Sequence, residues 1–223
     1  MIFRNRQQAG QILASRLEKY ANREHVIVLG IPRGGVPVAF EVAKALNQPL
    51  DIFVLRKLGV PGYEELAFGA IGSGGVRVVN ANLVAELGLS DVQVAAVIRT
   101  EQEELKRRET IYRGNRPPLE VRGRTVILID DGIATGSSIL AAIHALRQMQ
   151  PAGIVVGTPV GPPDTVIRLQ REVNELVCVE MPESFYGVGQ FYVDFSQVSD
   201  QEVNELLDRA FQEHWEQATP AVM

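Results

Sequence analysis

The chain alternates between short apolar runs and longer segments in which apolar residues recur every three or four positions. This alternation predicts buried strands joined by helices that pack on a largely parallel sheet. The apolar runs predict strands over residues 25–31, 51–55, 125–129, 154–159 and 176–179. The periodic segments predict helices over residues 6–20, 36–46, 91–112, 138–149 and 164–173, and a last helix that begins near residue 199. We therefore expect a three-layer α/β fold with a central, mainly parallel sheet.

Local signals delimit the longest and the last of the predicted helices. Ser90 and Gln93 have the spacing of a capping box at the start of the longest helix, and Gly114 stops it. Ser199 and Glu202 repeat the capping-box spacing near the C-terminus. Both helices are therefore predicted from their ends as well as from their periodicity.

Two segments lack a helical pattern. Residues 57–75 are rich in glycine and contain one short strand-like piece, 67–71, with a second piece following at 76–79. We expect a flexible loop there. The aromatic segment SFYGVGQFYVDF, residues 184–195, follows the last strand. Because strands of the same character flank the proline-rich linker near residue 117, we expect one domain over residues 1–223.

Composition and charge exclude several classes of protein. The net charge of −5 argues against an extended nucleic-acid or membrane-surface footprint. No apolar run approaches the roughly 18 residues of a membrane helix, and the N-terminus has no apolar core of a secretory signal. Cys178 is the one cysteine, so no internal disulfide forms. A reducing cytoplasm is the expected location.

The segment RTVILIDDGIATGSSI carries the strongest chemical signal. The predicted strand at 125–129 ends in Asp130 and Asp131, and a loop of small and hydroxyl-bearing residues, 132–138, leads into a helix. Backbone N–H groups of a loop that enters a helix point at an anion, and small residues let the ligand approach closely. Two carboxylates beside a phosphate cradle suit a sugar diol or Mg²⁺. The implied ligand is a sugar phosphate.

This segment has two other interpretations. The pattern VILIDD also occurs in the magnesium strand of P-loop nucleotide hydrolases, but no GxxxxGK[ST] is present. Asp131 or Thr135 would alternatively serve only to cap the next helix. An isolated acid pair would favour capping, whereas the whole nine-residue pattern favours a ligand.

This pattern carries a resemblance to a known family. DDGIATGSS after four apolar residues resembles the phosphoribosyl-pyrophosphate (PRPP) signature of the type I phosphoribosyltransferases. GIPRGGV, residues 30–36, resembles their pyrophosphate-binding loop, and RKLGVPG, residues 56–62, resembles the Arg-Lys pair and mobile loop of the orotate and adenine members. The aromatic segment resembles the hood that covers the base, here about residues 181–198.

The resemblance implies a reaction and a set of contacts. Its fold is the three-layer α/β fold, and its reaction is the Mg²⁺-dependent transfer of a 5-phosphoribosyl group from PRPP to a nitrogenous acceptor, a nucleobase, with release of pyrophosphate. Asp130 and Asp131 would hold the ribose hydroxyls and help organise Mg²⁺, and Lys57 would join them in catalysis. The other implied contacts are Ala134, Thr135, Gly136, Ser137 and Ser138 with the 5-phosphate, Arg33, Gly34, Gly35, Arg56 and Lys57 with pyrophosphate, and Phe185 and Tyr186 with the base. The resemblance also implies a homodimer.

Departures from the family pattern leave the acceptor open. Ala134 stands where the hypoxanthine–guanine members carry an aspartate, and residues 158–164 lack the lysine that contacts the purine oxygen. Ala67 replaces the glutamate of the LEYG motif of adenine members. Glu64 and Glu65 are the nearest alternative acids in the sequence.

Three other functions fit parts of the sequence. A non-catalytic PRPP-sensing regulator would share the fold, although the Arg56-Lys57 pair and the glycine-rich segment favour catalysis. A phosphohydrolase would act on the same sugar phosphate without an acceptor. An α/β domain without a phosphoribosyl ligand would show no thermal stabilisation by PRPP.

Overall fold

The structure is a computed structural model that describes residues 1–114 and 116–218, except for the side chains of residues 65 and 214–218. The strands are β1 (Val26–Gly30), β2 (Leu50–Ile52), β3 (Leu55–Val60), β4 (Tyr63–Gly72), β5 (Val76–Val79), β6 (Thr125–Ile129), β7 (Gly153–Val160) and β8 (Glu175–Glu180). The helices are α1 (Arg6–Arg16), α2 (Gly35–Leu46), α3 (Ala81–Glu86), α4 (Asp91–Arg113), α5 (Ser137–Gln148), α6 (Pro163–Gln170) and α7 (Asp200–Ala218).

Five parallel strands form the central sheet in the order β2-β1-β6-β7-β8. The pairing of β1 with β6 runs in one register, from Val26 opposite Thr125 to Gly30 opposite Ile129. Both strands therefore end at the same level, and the two loops that follow them leave the sheet side by side. This is the edge at which α/β sheets bind ligands.

Helices cover both faces of this sheet, which confirms the predicted three-layer fold. Leu29 and Leu128 face a core that includes Ile143 of α5, whereas Val28 and Ile127 face a second core on the side of α1 and α2. Strands covered on both faces consist almost entirely of apolar residues, as TVILI does. The sheet thereby holds the residues after β1 and β6 on a rigid base.

The segment 57–75 differs from the expected loop. It forms most of a three-stranded antiparallel sheet in the order β3-β4-β5, with Lys57 opposite Ala70. A Cβ at Gly69 would lie 2.3 Å from the carbonyl oxygen of Val78, so this glycine permits close approach of two strands. The strand-like pieces predicted at 67–71 and 76–79 are confirmed in β4 and β5, whereas the loop predicted for residues 57–66 is wrong, because most of it belongs to β3 and the start of β4. The mobility of the segment remains a prediction.

The hood is tied to the N-terminus by backbone hydrogen bonds. The N–H of Phe3 donates to the carbonyl of Phe191 at 2.8 Å, and the N–H of Val193 donates back to the carbonyl of Phe3 at 2.8 Å. The rings of Phe3, Phe191 and Tyr192 are buried in a small core with Val160. The first residues of the chain thus belong to the structure of the hood.

The predicted helix ends are confirmed where a local signal exists. Ser90 and Gln93 form a capping box at the start of α4, and the Ser199 hydroxyl accepts a hydrogen bond from the N–H of Glu202 at 3.1 Å. α1 is shorter than predicted, because it ends at Arg16 and a 3-10 turn, Glu18–Tyr20, follows. In the described part of the chain, no helix has the length and apolar character needed to cross a membrane.

Candidate functional site

The glycine pair after β1 lies directly against the acid pair after β6. A Cβ at Gly34 would lie 2.0 Å from Oδ2 of Asp131, and a Cβ at Gly35 would lie 3.0 Å from the Cα of Asp130. Gly34 has a helical φ of −61°, so space rather than backbone conformation requires glycine there. Two motifs far apart in the sequence therefore form one site. The peptide bond that precedes Arg33, within the same loop, is cis.

The two acids have different surroundings. Asp130 is partly buried, and its Oδ1 accepts a hydrogen bond from the backbone N–H of Asp131 at 2.9 Å. Burial, and then the neighbouring charge of Asp131, raise the pKa of Asp130 well above its ordinary value. Asp131 is about 14% exposed and accepts a hydrogen bond from Arg6 at 2.8 Å. The hydroxyl of Tyr192 donates to the Asp131 carbonyl at 2.6 Å.

Arg6 is a member of the site that the sequence pattern does not reveal. Its Nε bonds to Asp131 across 125 sequence positions, and its Nη1 donates to the carbonyl of Ser196 at 2.8 Å. The guanidinium lies 4.0 Å from the centroid of the Phe195 ring. Asn5, whose side chain accepts from the N–H of Gln8 at 3.0 Å, caps α1 and fixes where Arg6 begins the helix. The capping signal was readable from the sequence, but the partner of Arg6 was not.

The loop after the acids leads into the N-terminus of α5, as predicted. Gly136 has a positive φ of 76°, a conformation that favours glycine, and a Cβ there would lie 2.7 Å from Cγ2 of Thr165. The hydroxyls of Thr135 and Ser137 lie 3.1 Å apart and are exposed, as is Ser138. The N-cap residue Gly136 has no side chain to cap α5, and the N–H of Ser137 makes only a long hydrogen bond of 3.4 Å to the Thr135 hydroxyl. The first turn of α5 therefore presents hydroxyl and backbone N–H donors suited to a phosphate.

The hood packs on this loop through a residue that was not predicted. A Cβ at Gly132 would lie 2.2 Å from Cγ1 of Val188, so the glycine makes room for the hood. Phe185 is half-buried and stacks on Phe191 with ring centroids 5.4 Å apart. Tyr186 is 94% exposed. Of the two predicted base contacts, one ring is thus packed in the hood and the other lies in solvent.

Two of the three predicted pyrophosphate cations are engaged by acids. Nη1 of Arg33 lies 3.8 Å from Oδ1 of Asp200 at the start of α7, and the Tyr112 hydroxyl donates to the same oxygen at 2.6 Å. Nε of Arg56 pairs with Glu101 of α4 at 2.7 Å. The structure therefore places both arginines in ion pairs that a ligand would have to share or displace.

Lys57 is the third predicted cation, and it is exposed. It lines a cavity of about 670 Å³ between the β3–β4 hairpin and α4, and Pro32 and Ser138 line the same cavity. A second cavity of about 420 Å³ contacts Lys57 and Ser137. Lys57 thus shares cavities with residues of both predicted anion loops.

The remaining candidate groups are the glutamates of the hairpin and the single cysteine. Glu64 lines the larger cavity, and the side chain of Glu65 lies outside the described residues. Burial raises the pKa of the Cys178 thiol to about 12, so this cysteine is not a thiolate nucleophile. In the ranges that the structure describes, no group of three or more His, Cys, Asp or Glu could hold a metal ion.

Comparisons with known proteins agree with this geometry. A family model described as phosphoribosyl transferase domain matches residues 2–196. Two Mycobacterium tuberculosis proteins, from strains H37Rv and CDC 1551, are provisionally named phosphoribosyl transferases, and each is 47% identical over 209 residues, 94% of this chain. The chain spans about half, 47%, of the length of these relatives. The crystal structure of TT1426 from Thermus thermophilus has a TM-score of 0.83 and 39% identity, and the match covers 93% of this chain and 98% of that one.

Proposed function

Because the chain belongs to the phosphoribosyl transferase domain family, we propose that it transfers a 5-phosphoribosyl group from PRPP to a nitrogenous acceptor and releases pyrophosphate. The observation that carries this proposal is the contact between the pairs Gly34-Gly35 and Asp130-Asp131. The loop with Gly34-Gly35 suits an anion, and the loop with Asp130-Asp131 suits a diol. A sugar that carries an anionic group and a diol would contact both loops.

The proposed placement of PRPP follows the donors and acceptors of the site. The 5-phosphate would lie at the first turn of α5, on residues 134–138, where the exposed hydroxyls support it. The ribose hydroxyls would donate to Asp130 and Asp131. The pyrophosphate would extend toward Arg33 and toward Lys57, the cation that makes no ion pair with the described residues.

The proposed chemistry needs no protein nucleophile. The bond between the ribose C1 and a pyrophosphate oxygen breaks, and a nitrogen of the acceptor forms the new bond to C1. Negative charge grows on the departing pyrophosphate, and positioned cations such as Lys57 stabilise it. The carboxylates of the acid pair lie on the side of the ribose, where positive charge develops. Packing of Val188 against Gly132 supports exclusion of water from this side.

Mg²⁺ is proposed to enter with PRPP. Mg²⁺ is held in such sites by one or two carboxylates together with substrate phosphates. The donor set fits this arrangement rather than an all-protein cage, because Oδ2 of Asp131 is occupied by Arg6. Asp130 and the other oxygen of Asp131 are the groups that would contact the ion. When bound, the ion would supply neutralisation of the phosphate charge.

The acceptor is proposed to be a nucleobase that lies under the hood. Val188 and the Phe185–Phe191 stack make this face apolar, which supports a flat aromatic ligand. The chain is proposed to act in the cytoplasm, which its single, partly buried thiol supports. A homodimer is part of the same proposal.

Pyrophosphate release, measured with PRPP, Mg²⁺ and a panel of bases, tests this function. We expect release with a subset of bases and none without an acceptor. Release at full rate without any base would indicate a phosphohydrolase instead. The ion pair between Arg56 and Glu101 favours the PRPP-sensing regulator as a second candidate, because it engages a cation that a transferase would use. Binding of PRPP without release across the panel would support that regulator.

A further inference from the structure

We propose that Arg6 is a positioning residue that holds Asp131 for the ribose diol and joins it to the hood, an inference that rests on the proposed function. Arg6 touches neither the phosphate loop nor the glycine pair in the described contacts. Its guanidinium donates to Asp131 and to the Ser196 carbonyl and lies over the ring of Phe195. Arg6 would therefore act on a ribose chiefly through the placement of Asp131 and the hood.

The first step concerns the two oxygens of Asp131. Oδ2 lies between Nε of Arg6, at 2.8 Å, and Gly34, whose missing side chain leaves the space that this oxygen fills. Among the described residues, no N–H group donates to Oδ1. One oxygen is thus committed to the protein, and the other can accept a hydrogen bond from a ribose hydroxyl.

The second step concerns burial. The side chain of Arg6 is about 11% exposed and that of Asp131 about 14%. Few water molecules can therefore replace the guanidinium if it is removed. Asp131 would then lose the hydrogen bond that fixes its Oδ2, and its carboxylate would be free to turn from its place.

The third step concerns the hood. The same guanidinium donates to the Ser196 carbonyl at 2.8 Å and stacks on Phe195 at 4.0 Å. The backbone next to Arg6 also pairs with the hood, since the N–H of Asp194 donates to the carbonyl of Arg4 at 2.9 Å. Arg6 therefore connects the acid that faces the ribose to the segment proposed to cover the acceptor.

This role predicts an effect that depends on the ligand. PRPP and ribose 5-phosphate carry the 2- and 3-hydroxyls that Asp131 would accept, whereas pyrophosphate has none. We expect Arg6→Gln to raise the Kd of the two ribose ligands about tenfold or more, because a misplaced Asp131 would lose its charged hydrogen bond with the ribose hydroxyls. We expect the Kd of pyrophosphate to stay within about twofold.

Calorimetric titration of the full chain with the three ligands, in the presence of Mg²⁺, tests this expectation. The matched control is Arg4→Gln, which removes the same charge from an exposed neighbour whose side chain makes no hydrogen bond or ion pair with the described residues. Arg6→Lys keeps the charge but not the planar fork, so we expect it to restore only part of the ribose affinity.

The outcomes separate the two proposals. Selective loss of ribose ligands in Arg6→Gln, with Arg4→Gln unchanged, supports the positioning role. No loss, or equal loss for all three ligands, overturns it while the proposed function stands. If the wild-type chain binds none of them, the proposed function itself fails, and this inference with it. If Arg6→Gln does not fold, the same comparison with Arg6→Lys decides, by the same criterion.

Discussion

The two halves of the candidate site differ in how far they are organised without a ligand. In the half that follows β6, the acid pair is partly buried and held by hydrogen bonds: Asp130 accepts one from the backbone, and Asp131 accepts one from Arg6. The half on the β3–β4 hairpin carries an exposed Lys57 and an Arg56 that is paired with Glu101. The acid pair is thus already held by the protein, whereas Arg56 is engaged by an acid and Lys57 has no ion-pair partner among the described residues.

This difference bears on how such a site works. Groups fixed in place before the ligand arrives need no reorganisation during the reaction, so each one contributes strongly. An exposed cation in water contributes less until a ligand or a closing segment excludes solvent around it. We therefore expect substitutions in the first half to cost more than substitutions in the second.

The largest expected effect is that of Asp131→Asn. The change keeps the size of the side chain but removes the charge proposed to face the ribose, and we expect pyrophosphate release to fall about 100-fold to 1000-fold. Asp164→Asn, an exposed acid at the start of α6, is the matched control. The melting temperatures of both variants show that they are folded. Wild-type turnover in Asp131→Asn would contradict the role given to this acid.

Gly34→Ala is expected to cost about 100-fold in PRPP affinity, because the new Cβ would lie 2.0 Å from Oδ2 of Asp131 and force it to move. Gly187→Ala in the hood is the control, since a Cβ there meets no atom within 4 Å. Titration calorimetry with PRPP measures both. Equal affinities of the two variants would show that the contact between the two loops does not matter.

Lys57→Ala tests the second half, and we expect about a tenfold fall in turnover, smaller than either effect above. The cation is exposed, so part of its effect should disappear as the salt concentration rises. Arg77→Ala, an exposed cation on β5, serves as the comparison. A loss as large as that of Asp131→Asn would mean that the hairpin is as well organised as the acid pair.

The smallest expected effect concerns stability. Burial raises the pKa of Asp130, so its contribution to stability is full below the ordinary aspartate pKa and is lost as the pH rises through the raised one. Asp130→Asn removes that loss, and without ligands we expect its melting temperature at pH 7 to exceed that of the wild type by about 2–4 °C. The gain should shrink toward pH 4 in thermal scans. A difference that does not vary with pH would contradict this reasoning.

The parallel sheet was predictable from the sequence because its signals are local. The prediction of 125–129 for β6 matches the strand Thr125–Ile129, since an apolar run is bounded there by a charged residue and an acid pair. For α4, predicted over 91–112, the capping box fixes the first residue and Gly114 the end. The family resemblance assigned the loops after β1 and β6 to one ligand. The register of β1 with β6 explains why these two loops meet.

The β3–β4 hairpin was not predictable in the same way. Glycines normally interrupt strands, so the glycine-rich sequence predicts a loop, and only the pieces 67–71 and 76–79 have a strand-like pattern. The role of the glycines depends on a neighbouring strand, because a Cβ at Gly59 would lie 2.9 Å from the carbonyl oxygen of Glu64. The register also shifts between Leu58 and Val60. The pairing of β3 with β4 depends on both segments, so neither segment alone predicts it.

The side-chain partners of the site were equally hidden. The charged run 101–109 predicts a solvated helix face, yet its first residue, Glu101, pairs with Arg56 of the hairpin. Arg6 and Asp131 are 125 positions apart, and only the fold brings them within 2.8 Å. A sequence motif gives the groups that bind a ligand, whereas the residues that orient those groups depend on packing.

The most direct test of the central claim is calorimetric titration of the wild-type chain with PRPP in the presence of Mg²⁺. The account predicts saturable binding at one site per chain. It also predicts that Asp131→Asn and Gly34→Ala each weaken this binding strongly and that Lys57→Ala weakens it least. Absence of binding by the wild-type chain, or binding that neither Asp131→Asn nor Gly34→Ala changes, would contradict the claim that the two loops form a phosphoribosyl site.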